Sequence, residues 1–281
     1  MRKLNLIMAF VLCGAMFTIG QNASDNASQQ KNSLATSQGV SGSVSHQQNN
    51  SKAFGDVITQ IDPTSIHAWG AAFDGTFLYF TDPYGSGNVG TTVYQYDLSG
   101  APTGYTIDAN VGAPTWVGDM ASDNGLLYCT NVGGDNAINV FNISSGSLVN
   151  TITGDWTGTS QRGLAHDAVN DEFYIGGWNS NTLWRVDATG TTISELAFPG
   201  ISGLAWSPNG GPMGNGSLWV VANSVDDLVT ELDPNNGYAT LQSFVIPDGA
   251  GSSGAGLMAP GLLVRDLVLT LMKTSGILHL R

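Results

Sequence analysis

Three side chains in this 281-residue chain have the types and positions to do chemistry: Asp119, Arg162 and His166. Four segments opening with glycine align as Gly70-Ala71-Ala72-Phe73, Gly118-Asp119-Met120-Ala121, Gly163-Leu164-Ala165-His166 and Gly203-Leu204-Ala205-Trp206. Asp119 stands where the others have Ala or Leu, and His166 where they have Phe, Ala or Trp. In a repeat, the position that departs from the pattern is the informative one. A carboxylate and an imidazole held together bind a divalent cation such as calcium or magnesium, or move a proton. Arg162, one residue before its glycine, is placed to clamp a substrate. Each also has a structural reading: His166 as a core histidine satisfied by a neighbouring repeat, Asp119 as a turn cap, Arg162 as the partner of one of many carboxylates.

The elements that must position these groups are short strands. An apolar-aromatic pair recurs as Leu78-Tyr79, Leu127-Tyr128, Phe173-Tyr174 and Leu218-Trp219, at spacings of 49, 46 and 45 residues. A short alternating run ends in Asp97, Asn142, Asp187 and Asp233, at spacings of 45, 45 and 46. Such a period, with several strands inside each unit, marks the blades of a β-propeller, whose sheets bury both faces only when neighbours stack on them. In the third unit the strands are expected near Gly163–Asp167, Glu172–Gly176, Thr182–Asp187 and Thr192–Phe198. Leu183-Trp184-Arg185-Val186 and Val93-Tyr94-Gln95-Tyr96 alternate with the two-residue period of a pleated strand. No window sustains a helical period, so βαβ folds are disfavoured.

GLAHD, GLAWSPNG, DGTFLYF, GSLWVVAN and the strands ending VD or LD resemble the broad β-propeller group of NHL, YVTN, streptogramin-lyase-like and gluconolactonase-like repeats over roughly residues 53 to 257. No unit pairs a Gly-His with a closing Trp-Asp, so the WD40 sequence pattern is absent. The resemblance implies an all-β propeller of four-stranded blades, with five blades or a fragment of a larger ring. It also implies that the inner strands line a central channel. Asp119, Arg162, His166 and Trp206 are then expected to converge on one mouth, with His67, Trp69 and Trp116 near it. Gluconolactonase-like members hold a divalent metal with a glutamate from an inner strand, whereas Glu172, Glu195 and Glu231 fall outside the inner strands expected here. Streptogramin-lyase-like members use a histidine near the mouth, for which His166 is the candidate.

The ends differ from this body. Residues 1–20 carry Arg2 and Lys3, an apolar run from Leu6 to Ile19 and then small residues, which is the pattern of a secretory signal. After its removal no membrane insertion is expected. Residues 21–52, rich in Asn, Gln and Ser, read as a flexible linker. The segment Asp56-Val57-Ile58-Thr59-Gln60-Ile61-Asp62-Pro63 matches Asp227-Leu228-Val229-Thr230-Glu231-Leu232-Asp233-Pro234, so the first element is a late blade strand with its early partners missing from this end. Residues 258–281 read as an atypical tail, either a truncated or frame-shifted end or a degenerate last blade, with three of the nine Lys and Arg residues.

Between Phe54 and Leu257 two basic residues, Arg162 and Arg185, face twenty acidic ones, a field unsuited to nucleic acid or anionic membrane. Cys129 is the one thiol after the signal and reads as a small buried apolar group. Asp97, Asn142, Asp187 and Asp233 suit turn capping better than a ring of metal ligands. The loops Asp82–Asn88 and Gly133–Asn136 offer oxygens for calcium without EF-hand spacing. The expected function is that of a secreted, acidic binding module for a protein or carbohydrate surface, contacting it through Trp69, Trp116, Trp178 and Trp206. The alternative is a divalent-cation-dependent lyase or lactone hydrolase with Asp119, His166 and Arg162 at the channel mouth.

Overall fold

The computed structural model describes residues 59–61, 68–82, 91–112, 115–177, 179–222, 228–245, 257–258, 269–272 and 277–280. The expected signal, linker, His67 and Trp178, with most of the Asp82–Asn88 loop and of the tail, lie outside them. After a short strand β1 (Thr59–Ile61), the chain lays down four antiparallel sheets in succession. The first holds β2 (Ala71–Phe73), β3 (Leu78–Asp82), β4 (Thr92–Tyr96) and β5 (Pro102–Asp108). The second holds β6 (Trp116–Asp123), β7 (Leu126–Val132), β8 (Ile138–Asn142) and β9 (Leu148–Ile152). The third holds β10 (Gly163–Asp167), β11 (Glu172–Gly177), β12 (Thr182–Asp187) and β13 (Thr192–Ala197), close to the bounds expected from sequence. The fourth holds β14 (Ile201–Ser207), β15 (Ser217–Ala222), β16 (Leu228–Asp233) and β17 (Ala239–Val245).

Each sheet is an up-and-down meander of sequence neighbours, and this is the four-stranded blade of a β-propeller. Four blades of consecutive strands are present, one fewer than the five expected, because after β17 the 45-residue pattern gives way. The remaining strands are β18 (Leu257–Met258), β19 (Leu269–Met272) and β20 (Ile277–Leu280). They form a further sheet in the order β1-β20-β19-β18, in which Gln60 pairs with His279. The match between the Asp56–Pro63 and Asp227–Pro234 segments is therefore answered by pairing of the two ends of the strand series.

The blades stack through apolar side chains from adjoining sheets. Tyr79, Val93 and Ile107 of the first blade pack with Val117, Met120, Leu127 and Phe141 of the second. Tyr128, Ile138 and Val140 meet Leu164, Phe173 and Val186 of the third, and Tyr174 and Leu183 meet Leu204, Trp206 and Leu218 of the fourth. The recurring apolar-aromatic pairs supply these interfaces from the second strand of every blade. All four blades also share a register shift between their third and fourth strands, at Tyr94/Tyr96, Val140/Phe141, Arg185/Val186 and Glu231/Leu232. A bulge there bends the strand and increases its local twist at the corresponding place in each repeat.

The glycines that open the inner segments let the inner strands approach closely. A Cβ on Gly70 would stand 2.9 Å from the Asp119 Cα, and one on Gly118 would stand 3.0 Å from the Arg162 Cα. On Gly163 it would lie 3.2 Å from the Gly203 carbonyl carbon. Any larger residue would push adjoining blades apart, which explains the repeated glycine without appeal to a ligand.

Candidate functional site

Inner strands run side by side along the channel, so the expected cluster is divided by its position along them. Arg162, Trp69 and Trp116 sit at or before the strand starts; His166 and Trp206 sit towards the strand ends; Asp119 lies between. Arg162 and His166 are four residues apart on one extended segment, or about 13 Å at ~3.3 Å per residue. The structure brings together two separate groups at opposite mouths instead of one convergent set.

At the entry mouth the Arg162 guanidinium lies 5.0 Å from the Trp69 ring centroid, a cation–π contact. Trp69 is half-buried, and Trp116 is 44% exposed. Below them Gln161, fully buried, donates its Nε2 hydrogens to the carbonyls of Trp156 (2.9 Å) and Thr159 (2.8 Å).

Asp119 is fully buried and caps no turn. Its Oδ2 accepts the backbone N–H of Leu164 (3.1 Å) in the third blade and of Leu204 (3.0 Å) in the fourth, and its Oδ1 accepts that of Met120 (3.0 Å). The Ala71 N–H of the first blade faces the same carboxyl and favours its charged form. Ala71, Leu164 and Leu204 occupy the equivalent place in their own segments, so one carboxylate gathers the amides of the aligned positions. Burial holds the Asp119 carboxyl well above the usual carboxylate range, against the opposing pull of these four amides. Cys129, buried beside it in β7, has its thiol raised by burial and then by the nearby Asp119 charge. The cysteine is thus inert packing, as its type and place suggested.

His166 is buried at the far end of β10. Its Nε2 lies 3.2 Å from Oδ1 of Asp171, in the turn that follows, so the Nε2–H donates to the carboxylate. The ring stacks on Phe173 at 4.5 Å and tilts against Tyr128 of the preceding blade at 4.9 Å. Tyr128 is pushed up to about 12 by burial and by the charges of Asp123 and Asp171. His166 Nδ1 has no hydrogen-bond partner, and neither does the buried Nε1 of Trp206, whose ring stacks on Tyr174 at 5.3 Å. Both rings line a cavity of about 240 Å³ that sequence reasoning did not find. The signal for it was the run of alanines at 72, 121, 165, 168 and 205, whose small side chains leave the space.

Among the described residues, no group of three or more His, Cys, Asp or Glu is arranged to hold a metal ion. The strand-closing acids are engaged by their turns: Oδ1 of Asp97 accepts from the N–H groups of Ser99 and Ala101, and Oδ1 of Asp187 from those of Thr189 and Thr191. Asn142 and Asp233 do the same with Ser145 and Asn235. In the Gly133–Asn136 loop, Oδ1 of Asp135 accepts from Asn131 and Ala137, so this oxygen is used locally. Arg185 pairs with Glu172 at 2.6 Å.

No protein-family model matches the chain, and no curated protein matches its sequence. Among solved structures it is similar to the WD40 β-propeller domain of Doa1, at 15% identity and a TM-score of 0.43, over 72% of this chain and 60% of that one. It is likewise similar to a chain of the mitotic checkpoint complex, at 14% identity and a TM-score of 0.45, over 76% of this chain and 60% of that one. The chain thus spans about 60% of the length of either. Neither comparison singles out the NHL, YVTN, streptogramin-lyase-like or gluconolactonase-like repeats. What the sheet topology of the chain itself establishes is an all-β propeller of four-stranded blades.

Proposed function

We propose that the protein is a secreted, acidic β-propeller that binds a protein partner at the entry mouth of its channel. The observation that carries this reading is Trp116, 44% exposed at the start of β6, two residues before the Gly118 that packs against Arg162, with Arg162 itself laid over Trp69. Tryptophan and arginine on a rigid strand end are the residue types that dominate protein-binding energetics, because they offer large contact area at small entropic cost. The acidic body favours a partner of neutral or basic surface. Export rests on Arg2, Lys3 and the apolar run that follows.

The same reading takes the β1-β20-β19-β18 sheet as a fifth blade. Its support is the position of β18, which lies against both β14 and β2 and so stands between the fourth blade and the first. A lyase or lactone hydrolase centred on Asp119 has less to work with, since both oxygens of that carboxylate accept backbone amides.

Arrays of basic and neutral peptides and of glycans, probed with the wild-type protein and with Trp116→Ser, test the proposal. Peptide hits that vanish in Trp116→Ser, at an unchanged thermal midpoint, support it. Glycan hits alone would shift the partner to carbohydrate, and hits indifferent to Trp116→Ser would remove the entry mouth as the contact surface.

A further inference from the structure

The cavity at the exit mouth, opposite the surface just described, is ringed by the inner strands of all four blades: Phe73 comes from the first, Met120 from the second, Leu164 from the third and Leu204 from the fourth. Its floor of Met120, Leu164 and Leu204 is buried, and its rim of Ala168, Val169 and Pro208 is exposed, so it opens to solvent. Val169 is 82% exposed, an apolar side chain left at the opening. At about 240 Å³ the cavity exceeds the roughly 150 Å³ that holds a benzene molecule and falls short of the ~300 Å³ at which drug-sized sites begin.

The charge around this opening has one sign. Asp74, Asp123, Asp167 and Asp171 close the inner strands of the first three blades or stand in the turns after them. Both described arginines are committed elsewhere, Arg162 at the entry mouth against Trp69 and Arg185 to Glu172. Asp123 lines the cavity itself and is partly exposed. By the two-residue alternation of β6 its side chain shares the face of Ala121, which packs towards the third blade. Its Oδ2 accepts from the Asn124 side-chain amide at 2.8 Å, and among the described residues no group donates to Oδ1. Asp171, with a side chain 67% exposed, stands beside the cavity-lining His166. The charges of Asp123 and Asp171 both reach the Tyr128 hydroxyl, so the two carboxylates lie on the same side of the mouth. Carboxylates at the edge of an apolar hollow draw cations and repel anions.

We infer that this cavity binds a small organic cation, a primary amine on an apolar body the size of one ring. The body would lie over Met120, Leu164 and Leu204, and the ammonium would stand at the rim against Asp123, with Asp171 adding to the attraction. Charge complementarity selects this class: an apolar hollow alone admits any molecule of its size, whereas the carboxylates favour the cation over a neutral molecule of the same shape. The cation is organic because, among the described residues, no group of three or more His, Cys, Asp or Glu is arranged to hold a metal ion, while the floor offers apolar surface that a bare ion cannot use.

Four probes separate the possibilities in an NMR titration of the purified protein, read at the Met120 methyl resonance, the one that disappears in Met120→Leu. Phenethylamine should bind and move that signal. The neutral 2-phenylethanol should bind at least about tenfold more weakly, and neither phenylacetate nor methylammonium should bind up to about 10 mM. Asp123→Asn, a change at the exposed end of β6, should narrow the preference for the amine over the alcohol. Equal affinities of amine and alcohol for the wild type would reduce the site to an apolar hollow and overturn the inference. An equal response to methylammonium would reduce it to a charged surface and overturn it too. So would a lysine-rich peptide that moves the Met120 methyl where phenethylamine does not, since the mouth would then be a docking surface for protein. The probe series on the wild type decides the matter even if a variant fails to fold, and it is independent of the entry-mouth reading.

Discussion

Replacing Asp119 by alanine removes the acceptor of the Leu164 and Leu204 amides, which lie in two other blades and are both buried. A buried donor left without a partner costs about 1–3 kcal/mol, so two cost about 2–6 kcal/mol, with part offset because a desolvated carboxyl is removed as well. For a protein of this size a loss of about 4 kcal/mol lowers the thermal midpoint by roughly 8–16 °C. Asp119→Asn keeps one oxygen for the Leu164 and Leu204 amides and turns its amino group towards the Met120 N–H, so the expected order of stability is wild type, then Asn, then Ala. The dependence on pH separates this account from simple packing loss. Because the Asp119 carboxyl is raised on folding, the native state holds its proton to higher pH than the unfolded chain does. Its contribution is fully present below the unfolded value, near ~3.9, and is lost as pH rises through the folded value. Asp119→Asn should lack that decline. Thermal unfolding at a series of pH values measures both effects. A midpoint for Asp119→Ala within a degree or two of wild type would refute the claim that the carboxylate ties the inner strands together.

Asp97 and Asp187 shift the other way, lowered by the turn hydroxyls of Ser99 and Thr189 and by the turn amides. Their contributions are present above the unfolded value and lost as pH falls through the folded one, so the double variant Asp97→Ala/Asp187→Ala should show a shallower loss of stability as pH falls below the unfolded value, near ~3.9, in acid titrations followed by circular dichroism. Millimolar calcium or magnesium should leave the thermal midpoint of the wild type unchanged, since Asp119, Asp135 and the strand-closing acids already accept hydrogen bonds from the protein; a rise abolished by Asp119→Ala would overturn that assignment.

Strand bounds in the third blade were legible because turn residues are local signals: Asp187 and Gly190 punctuate where the backbone needs a capped turn, whereas the expected two-residue alternation over Leu183–Val186 is broken by the register shift between Arg185 and Val186, and the buried Leu183 and Val186 stand three apart and pack into different interfaces. The turn-capping role of the strand-closing acids was legible for the same reason. The work of Asp119 was not, because its acceptor contacts lie 45 and 85 residues along the chain. Its departure from the repeat marked it correctly as special, but chemistry and scaffolding leave the same mark in a sequence. The expected single mouth failed for a geometric reason: Arg162 precedes the strand near whose far end His166 lies, and extended backbone separates what a few residues of spacing seem to unite. Trp156, which buries its ring and donates its Nε1–H to the Gly190 carbonyl at 3.0 Å, carried no repeat signal at all.

A ring of repeated blades can come apart one unit at a time when each unit touches only its neighbours. Here a single side chain from the second blade is bonded to backbone in the third and fourth, so neither blade it reaches can swing out without stripping a buried amide of its acceptor. The molecule thereby exchanges the modular, zipper-like fraying of a repeat array for concerted opening. Both mouths inherit that rigidity, because the strands that carry Trp116, His166 and Trp206 are three of those held at this one point.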